Sequence, residues 1–226
     1  MGGHAMNFFI ILAFIFAALE SLALWKSWQK LEFVAKPAVM VCLFIWLYST
    51  AGLQGALLWF GIGILFSLAG DIALLFIDHF FMIGLVAFLL GHLAYLIGLN
   101  TPLPQTTTIW SIGLAIVIGL GSVRMLQRIV GSLRAKGQEQ LIAPVIIYGT
   151  VITLMLLAAM LTLFRLDWDA TASLLVSFGA ALFYFSDITL AWHRFVAPIK
   201  NGRMLNIGMY HLAQIMIVVG VGMQFG

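Results

Sequence analysis

Charge is scarce in this sequence. Only 8% of its 226 residues are Asp, Glu, Lys or Arg, whereas 63% are hydrophobic, and a chain of this length has no interior large enough to hide so much apolar surface in water. A soluble domain is excluded. Cysteine is scarcer still: Cys42 stands alone, which excludes an intramolecular disulfide and a thiolate metal cluster and leaves His and carboxylates as the only ligands a metal could use. A Gly-rich phosphate loop and a Gly-x-Ser-x-Gly elbow are also missing, which thins out the enzyme classes. The excess of basic over acidic residues, 11 against 8, invites an anionic partner, but the placement of Lys and Arg explains it without nucleic acid.

What is present is apolar sequence in long runs. Runs able to cross roughly 30 Å of hydrocarbon fall near residues 7–25, 37–51, 55–77, 80–99, 107–123, 141–164, 171–192 and 203–224. The expected fold class is all-α: a polytopic transmembrane helical bundle of about eight spans, in a single transmembrane domain over residues 7–226. Residues 1–6 read as a cloning remnant before a native start at Met6. The run after them lacks a basic flank and a small-residue cleavage site, so it is read as a retained span and not a signal peptide. Trp25, Trp110, Trp168 and Trp192 fall at run ends, where amphipathic rings prefer the headgroup level.

With eight spans, Lys26, Lys30, Lys36, Arg124, Arg128, Arg134, Lys136, Arg194, Lys200 and Arg203 fall on one side and Arg165 alone on the other. The positive-inside rule then places both termini outside the cytoplasm, which is periplasmic for a Gram-negative inner membrane. The two halves also echo each other: Asp71-Ile72-Ala73-Leu74 recurs as Asp187-Ile188-Thr189-Leu190, and His92-Leu93-Ala94-Tyr95 as His211-Leu212-Ala213-Gln214, at offsets of 116 and 119 residues. Pro37 and Pro144 each open an even-numbered span. Units of four spans share one orientation, so the expectation is two parallel four-helix repeats about an axis along the membrane normal.

Glu20, Asp71, His92, Asp187 and His211 lie inside predicted spans, where a charged group costs at least about 2.5–3.5 kcal/mol on insertion scales. Asp71 and Asp187 each fall five or six residues from the cytoplasmic end of a span, roughly 8 Å deep at 1.5 Å per residue. Glu20 and Lys36 extend this polar layer toward the cytoplasm, which gives a site open to that half of the bilayer. Two carboxyl groups sharing a poorly hydrated pocket repel each other, so one is expected to keep its proton while the other ionises. Glycosidases use such a pair to protonate a leaving group and steady an oxocarbenium-like cation. The alternative is that each Asp satisfies a helix–helix hydrogen bond. His92 and Tyr95 stand three apart on one face, as do His211 and Gln214, and each pair is placed to orient an aspartate, a substrate oxygen or simply a neighbouring helix. Two Asp and two His are also a conceivable ligand set for a divalent metal, although no tight ligand spacing appears. Gly84, Gly91 and Gly98 form a small-residue stripe for close helix packing. The Arg124–Lys136 run reads as a solvated loop touching anionic lipid, and Lys36 as a partner of Glu20 or of a lipid phosphate.

At these residues the sequence resembles the YhhN family of lysoplasmalogenases along nearly its whole length. The likeness is carried by Lys36-Pro37; Gly70-Asp71 with Leu74; Gly84 through Phe88 to His92 and Tyr95; Tyr148 with Met155; Gly179-Ala180 through Phe183 to Ser186-Asp187; and Tyr210 with Ala213-Gln214. The resemblance implies hydrolysis of the vinyl ether bond of lysoplasmalogens to a fatty aldehyde and a glycerophospho-ethanolamine or -choline. It implies a lysophospholipid substrate drawn from membrane lipid, no cofactor and no metal, and Asp71 and Asp187 as the essential catalytic residues. Glu20, Lys36, His92, Tyr95, Tyr148 and Gln214 are then supporting or substrate-binding candidates. Tyr210 and Gln214 match the family pattern and His211 does not, which moves His211 to a packing role. Two rival classes remain open: a lipid or small-molecule transporter built on a parallel repeat, and a metal-dependent lipid hydrolase using the same Asp and His residues.

Overall fold

The computed structural model describes residues 2–103 and 109–226, and no strand occurs among them. Eight helices follow one another: α1 (Gly2–Lys26), α2 (Gln29–Ala51), α3 (Ala56–Leu74), α4 (Ile77–Leu99), α5 (Ile109–Ala135), α6 (Ile142–Leu161), α7 (Ala170–Ala191) and α8 (Gly202–Phe225). Each carries a segment long and apolar enough to cross a membrane. In lipid every backbone amide must find its partner inside the protein, which a continuous helix achieves by itself. Phe14, Ile83, Val117 and Phe178 are exposed around the bundle, as they must be when the solvent at that depth is hydrocarbon. The chain is an integral membrane protein with a helical bundle fold. The expected fifth run begins on residues 107 and 108, which lie outside the described residues, as does residue 1 of the expected leader.

Successive helices run antiparallel, with α1–α2, α3–α4 and α7–α8 in extensive contact. In the first half α2 packs on α3 and reaches across to α8; in the second, α6 packs on α7 and reaches across to α4. That reciprocity is what a two-fold axis along the membrane normal produces, in line with the expected parallel repeat. The first helix of each half departs from it. α1 lies against α2 and α8, whereas α5 touches α6 and the five-residue π-helical turn Trp192–Val196 that follows α7.

The expected glycine stripe is a packing surface. Gly84 lies against Leu74, Gly91 against the Gly63 carbonyl and Ser67, and Gly98 under the Phe60 ring, so α3 and α4 approach along their lengths. On the α7–α8 seam, a Cβ at Gly179 would stand 2.9 Å from the Ala213 carbonyl oxygen and 3.0 Å from the Ile217 nitrogen. The neighbour there is backbone, which cannot swing aside.

Three local expectations need correction. The second helix starts at Gln29, so Pro37 lies inside it and does not open it. Lys30, Glu32 and Lys36 lower the apparent hydropathy of that first stretch, yet Glu32 and Lys36 are buried. Pro144 does sit in the first turn of α6, where a missing N–H is harmless. The Arg124–Lys136 run is no loop: Arg124–Ala135 continues α5, because Ile129, Val130 and Leu133 recur on one buried face. Trp25 and Trp110 are exposed at helix ends as expected, but Trp168 is buried, edge-on to Phe225 at 5.5 Å between ring centroids. Arg165 is buried beside it, donating to the Leu99 carbonyl (2.9 Å) and to Asp167 (2.7 Å). That hydrogen bond holds the Asp167 carboxyl below its ordinary range.

Replacing Gly179 by Ala is expected to destabilise the protein by about 1–3 kcal/mol through forced separation of α7 from α8. Gly208→Ala, where a Cβ meets nothing within 4 Å, is expected to leave stability unchanged or slightly raised. Thermal or denaturant unfolding in detergent compares the two.

Candidate functional site

Asp71 precedes Leu74, the last residue of α3, by three positions, and Asp187 precedes Ala191, the last of α7, by four. Both helices end at the side of the bundle where the α1–α2, α5–α6 and α7–α8 connections and the helix segments flanking them carry ten of the eleven Lys and Arg residues. Both carboxylates therefore lie near this basic end.

Asp71 is fully buried. The Tyr210 hydroxyl of α8 donates to its Oδ2 at 2.7 Å, and the Lys36 ammonium of α2 stands 3.5 Å from its Oδ1. Oδ1 has no hydrogen bond, so the lysine charge is its main compensation. Tyr210 also approaches the Met40 sulfur at 3.5 Å. Lys36 thus pairs with Asp71 and not with Glu20, as the charges alone had left open.

Asp187 is held differently. The Tyr148 hydroxyl of α6 donates to its Oδ2 in a short hydrogen bond, and the Nε2 of His92 on α4 lies 3.3 Å from the same oxygen and 3.0 Å from the Tyr148 oxygen. The Asp187 side chain keeps 15% of its exposure, against 1% for Asp71. The two carboxylates have no partner in common, and the sequence expectation of one shared pocket becomes two clusters. Phe183 lies between them, edge-on to His92 at 4.6 Å and to Tyr210 at 5.3 Å.

The repeat governs this layout. Each aspartate is gripped by the second helix of its own half and the last helix of the other: Asp71 by α2 and α8, Asp187 by α6 and α4. Tyr95 and Gln214, which the 119-residue offset makes equivalent, bond directly to each other: the Tyr95 hydroxyl donates to Gln214 Oε1 at 2.6 Å. Gln214 in turn donates to Ser67 at 3.0 Å. These two candidates are fully buried and join the halves on the axis.

His211 does not repeat the role of His92. Its Nε2 makes a short hydrogen bond to Glu20 of α1, and both residues are buried. His211 is therefore more than packing, and Glu20 is a structural partner of α8. Together with Lys36 these two are the ionisable neighbours of Asp71. Among the described residues no three His, Cys, Asp or Glu side chains gather as metal ligands would.

Two cavities meet at this end. A narrow groove of about 80 Å3 runs between α4, α5, α6 and α7, lined by apolar residues such as Leu85, Ile129, Val145 and Ile152, with Tyr148 and Asp187 in its wall. A wider basin of about 660 Å3 is lined by Lys36, His79, His193, Arg194, Arg203 and Asn206. Leu74, Leu190 and Arg194 belong to both linings. Asp71 lines neither. Of the basin residues sequence reading named only Lys36 for the site and missed the others, because basic side chains between spans look like ordinary topological markers, and it named Tyr210 without assigning it to the site.

A sequence model of the YhhN family matches residues 31–221. The chain belongs to the YhhN family. It is similar to the lysoplasmalogenase TMEM86B of Mus musculus, 29% identical over 218 residues that cover 91% of this chain and 83% of that protein. The proteins of the same name from Rattus norvegicus and Homo sapiens are 28% and 27% identical, again over 91% of this chain, and over 81% and 83% of their own lengths. No solved structure matches it. All the site residues of this YhhN-family chain fall within 31–221 except Glu20, which belongs to α1.

Removing one member of the Glu20–His211 pair strands the other without compensation at a fully buried position. His211→Ala or Glu20→Ala is expected to cost about 3 kcal/mol or more, and replacing both by Leu to recover most of that loss. Denaturant unfolding of the three variants in detergent measures it.

Proposed function

We propose that this YhhN-family chain is a lysoplasmalogenase: a membrane hydrolase that cleaves the vinyl ether bond of lysoplasmenyl-ethanolamine or -choline. The observation that carries the reading is the junction of an apolar groove holding Asp187 with a basic basin at the same end of the bundle. That is the shape of an amphiphile with one chain and an anionic head. The relatives named lysoplasmalogenase support the choice of chemistry. On the proposed topology the basic end faces the cytoplasm, with both termini on the opposite side.

A vinyl ether is broken by protonating its β-carbon. The electron pair of the C=C bond takes the proton, the ether oxygen stabilises the resulting oxocarbenium ion, and water adds to the cationic carbon. The hemiacetal so formed loses a proton and collapses, releasing a fatty aldehyde and the glycerophospho alcohol. The protein must supply a proton, steady a cation and admit one water.

Asp187 is the carboxyl group in contact with the groove, so it is the group that reaches the alkenyl carbon and delivers the proton. Tyr148 and His92 fix its Oδ2, which leaves Oδ1 to address the substrate. Asp71, ionised opposite Lys36 and sealed from both cavities, acts through its fixed negative charge on the cationic intermediate. Phe183, between the two clusters, keeps bulk water from joining them. Water for the capture step enters from the basin.

Asp187→Asn and Asp71→Asn are each expected to lower aldehyde release from a lysoplasmenyl lipid by at least about a hundredfold while the purified variants remain folded. Full activity in both would overturn the reading. Wild-type protein in detergent is expected to form aldehyde without any gradient, which a transporter cannot do, and to keep its rate after treatment with a strong chelator, which a metal-dependent hydrolase would not.

A further inference from the structure

Arg194 occupies a position that the proposed chemistry does not use. It lies in the π-helical turn after α7 and lines the apolar groove and the basic basin alike. The other cations of the basin are already engaged. Lys36 faces Asp71, and Arg203 makes a short ion pair with Glu32. Arg194 instead stacks on Phe81, its guanidinium carbon 4.4 Å from the ring centroid, and among the described residues no carboxylate pairs with it. A ring face orients a guanidinium without neutralising it. The turn itself is pinned: Ser132 of α5 and Lys136 just after it both donate to the Phe195 carbonyl, at 2.6 and 2.7 Å.

The spacing from Asp187 is informative. Asp187 and Arg194 both line the groove, and the seven-residue step between them, through the end of α7 and into the π-helical turn, separates them by at most about 10 Å along the axis. In a lysoplasmenyl lipid the vinyl β-carbon and the phosphorus are separated by seven bonds. At the roughly 1.2 Å per bond of an extended chain, that is about 8–9 Å. The separation of the two positions is therefore of the same size as the molecule's carbon-to-phosphorus span.

We propose that Arg194 is the phosphate-binding residue of the site: its guanidinium takes two oxygens of the substrate's phosphodiester and so sets which carbon of the chain meets Asp187. This rests on the reading of the groove as the site of a single-chain ether lipid. The geometry is that of a planar fork on a phosphate, which lysine does not reproduce. His193, with its Nδ1 accepting from the Ile199 amide at 2.9 Å, borders the same basin and leaves Arg194 as the unneutralised donor.

The test compares a lysoplasmenyl phospholipid with the matching 1-alkenylglycerol, which lacks the phosphate. In wild-type protein the phospholipid is expected to be preferred, and in Arg194→Ala that preference in kcat/KM is expected to fall at least tenfold, mainly through KM. Arg194→Lys is expected to restore only part of it. An equal loss on both substrates, or no loss, overturns the assignment. Binding is measured separately with the saturated ether analogue of the lysolipid, which cannot be hydrolysed, against the corresponding alkylglycerol. Inorganic phosphate serves as competitor, to separate recognition of the lipid head from recognition of any phosphate. If wild-type protein releases no aldehyde from either substrate, the proposed activity fails, and the binding comparison still decides the role of Arg194. Phosphate-dependent binding that the alanine variant loses supports it, and binding that the variant keeps overturns it.

Discussion

Two carboxylates inside a membrane bundle have to be compensated, and in this fold each takes one partner from the preceding helix and one from a helix in the other half of the chain. A charge on a span costs several kcal/mol unless a partner meets it. Asp71 draws its partners from Lys36 on α2 and Tyr210 on α8, and Asp187 draws its own from Tyr148 on α6 and His92 on α4. Each aspartate is thus completed by the opposite half of the chain. Neither half alone could bury its carboxylate at tolerable cost, so association of the halves and assembly of the site are one event. The Tyr95–Gln214 bond on the axis ties that event to a single register, since a slip of either helix by one residue would leave two buried polar groups unmet.

Symmetry of position has not produced symmetry of role. The donor to Asp187 on α4 is a histidine, whereas on α8 the donor to Asp71 is Tyr210 and the equivalent histidine turns away to Glu20. Asp187 keeps some exposure to an apolar groove while Asp71 is sealed. The echo between halves set two aspartates at matching places, and the unequal helices α1 and α5 then differentiated them. α1 closes over His211 on one side. α5 stands further off on the other and leaves the groove open between itself and the bundle.

The spans and the ionisable residues were legible in the sequence because both rest on one-dimensional signals: apolar run length, and rarity of charge within those runs. Asp71, Asp187, His92 and Glu20 stood out for that reason. Their pairing was not legible, since it depends on which helix faces are turned together. Lys36 shows the limit. Its charge, with that of Lys30 and Glu32, made residues 29–36 read as a loop, whereas its burial against Asp71 is what makes them helix. The same limit hid the amphipathic end of α5, where Arg124, Arg128 and Arg134 masked the buried Ile129 and Leu133. Tyr210 was visible only through family resemblance, because a tyrosine within a span carries no charge to flag it. Arg194 looked like one basic topological marker among ten.

The arrangement of the two cavities also bears on how a hydrolase can work inside a membrane. On the proposed reading, one substrate must bring an alkyl chain that belongs in hydrocarbon and another, water, that does not. An apolar groove open to bulk water would lose its affinity for the chain, and a basin open to lipid would lose its water. Here, among the described residues, the two compartments share Leu74, Leu190 and Arg194 in their walls, and on the proposed reading the ether linkage of an amphiphile lies close by. The products then separate by polarity: an aldehyde is drawn back along the groove toward lipid, and a glycerophospho alcohol, having lost its chain, has nothing left to hold it except the cations of the basin. An arginine backed by an aromatic ring, with no carboxylate beside it, can hold the phosphate of an intact lysolipid when chain burial adds to the binding. It releases the short product once that burial is gone.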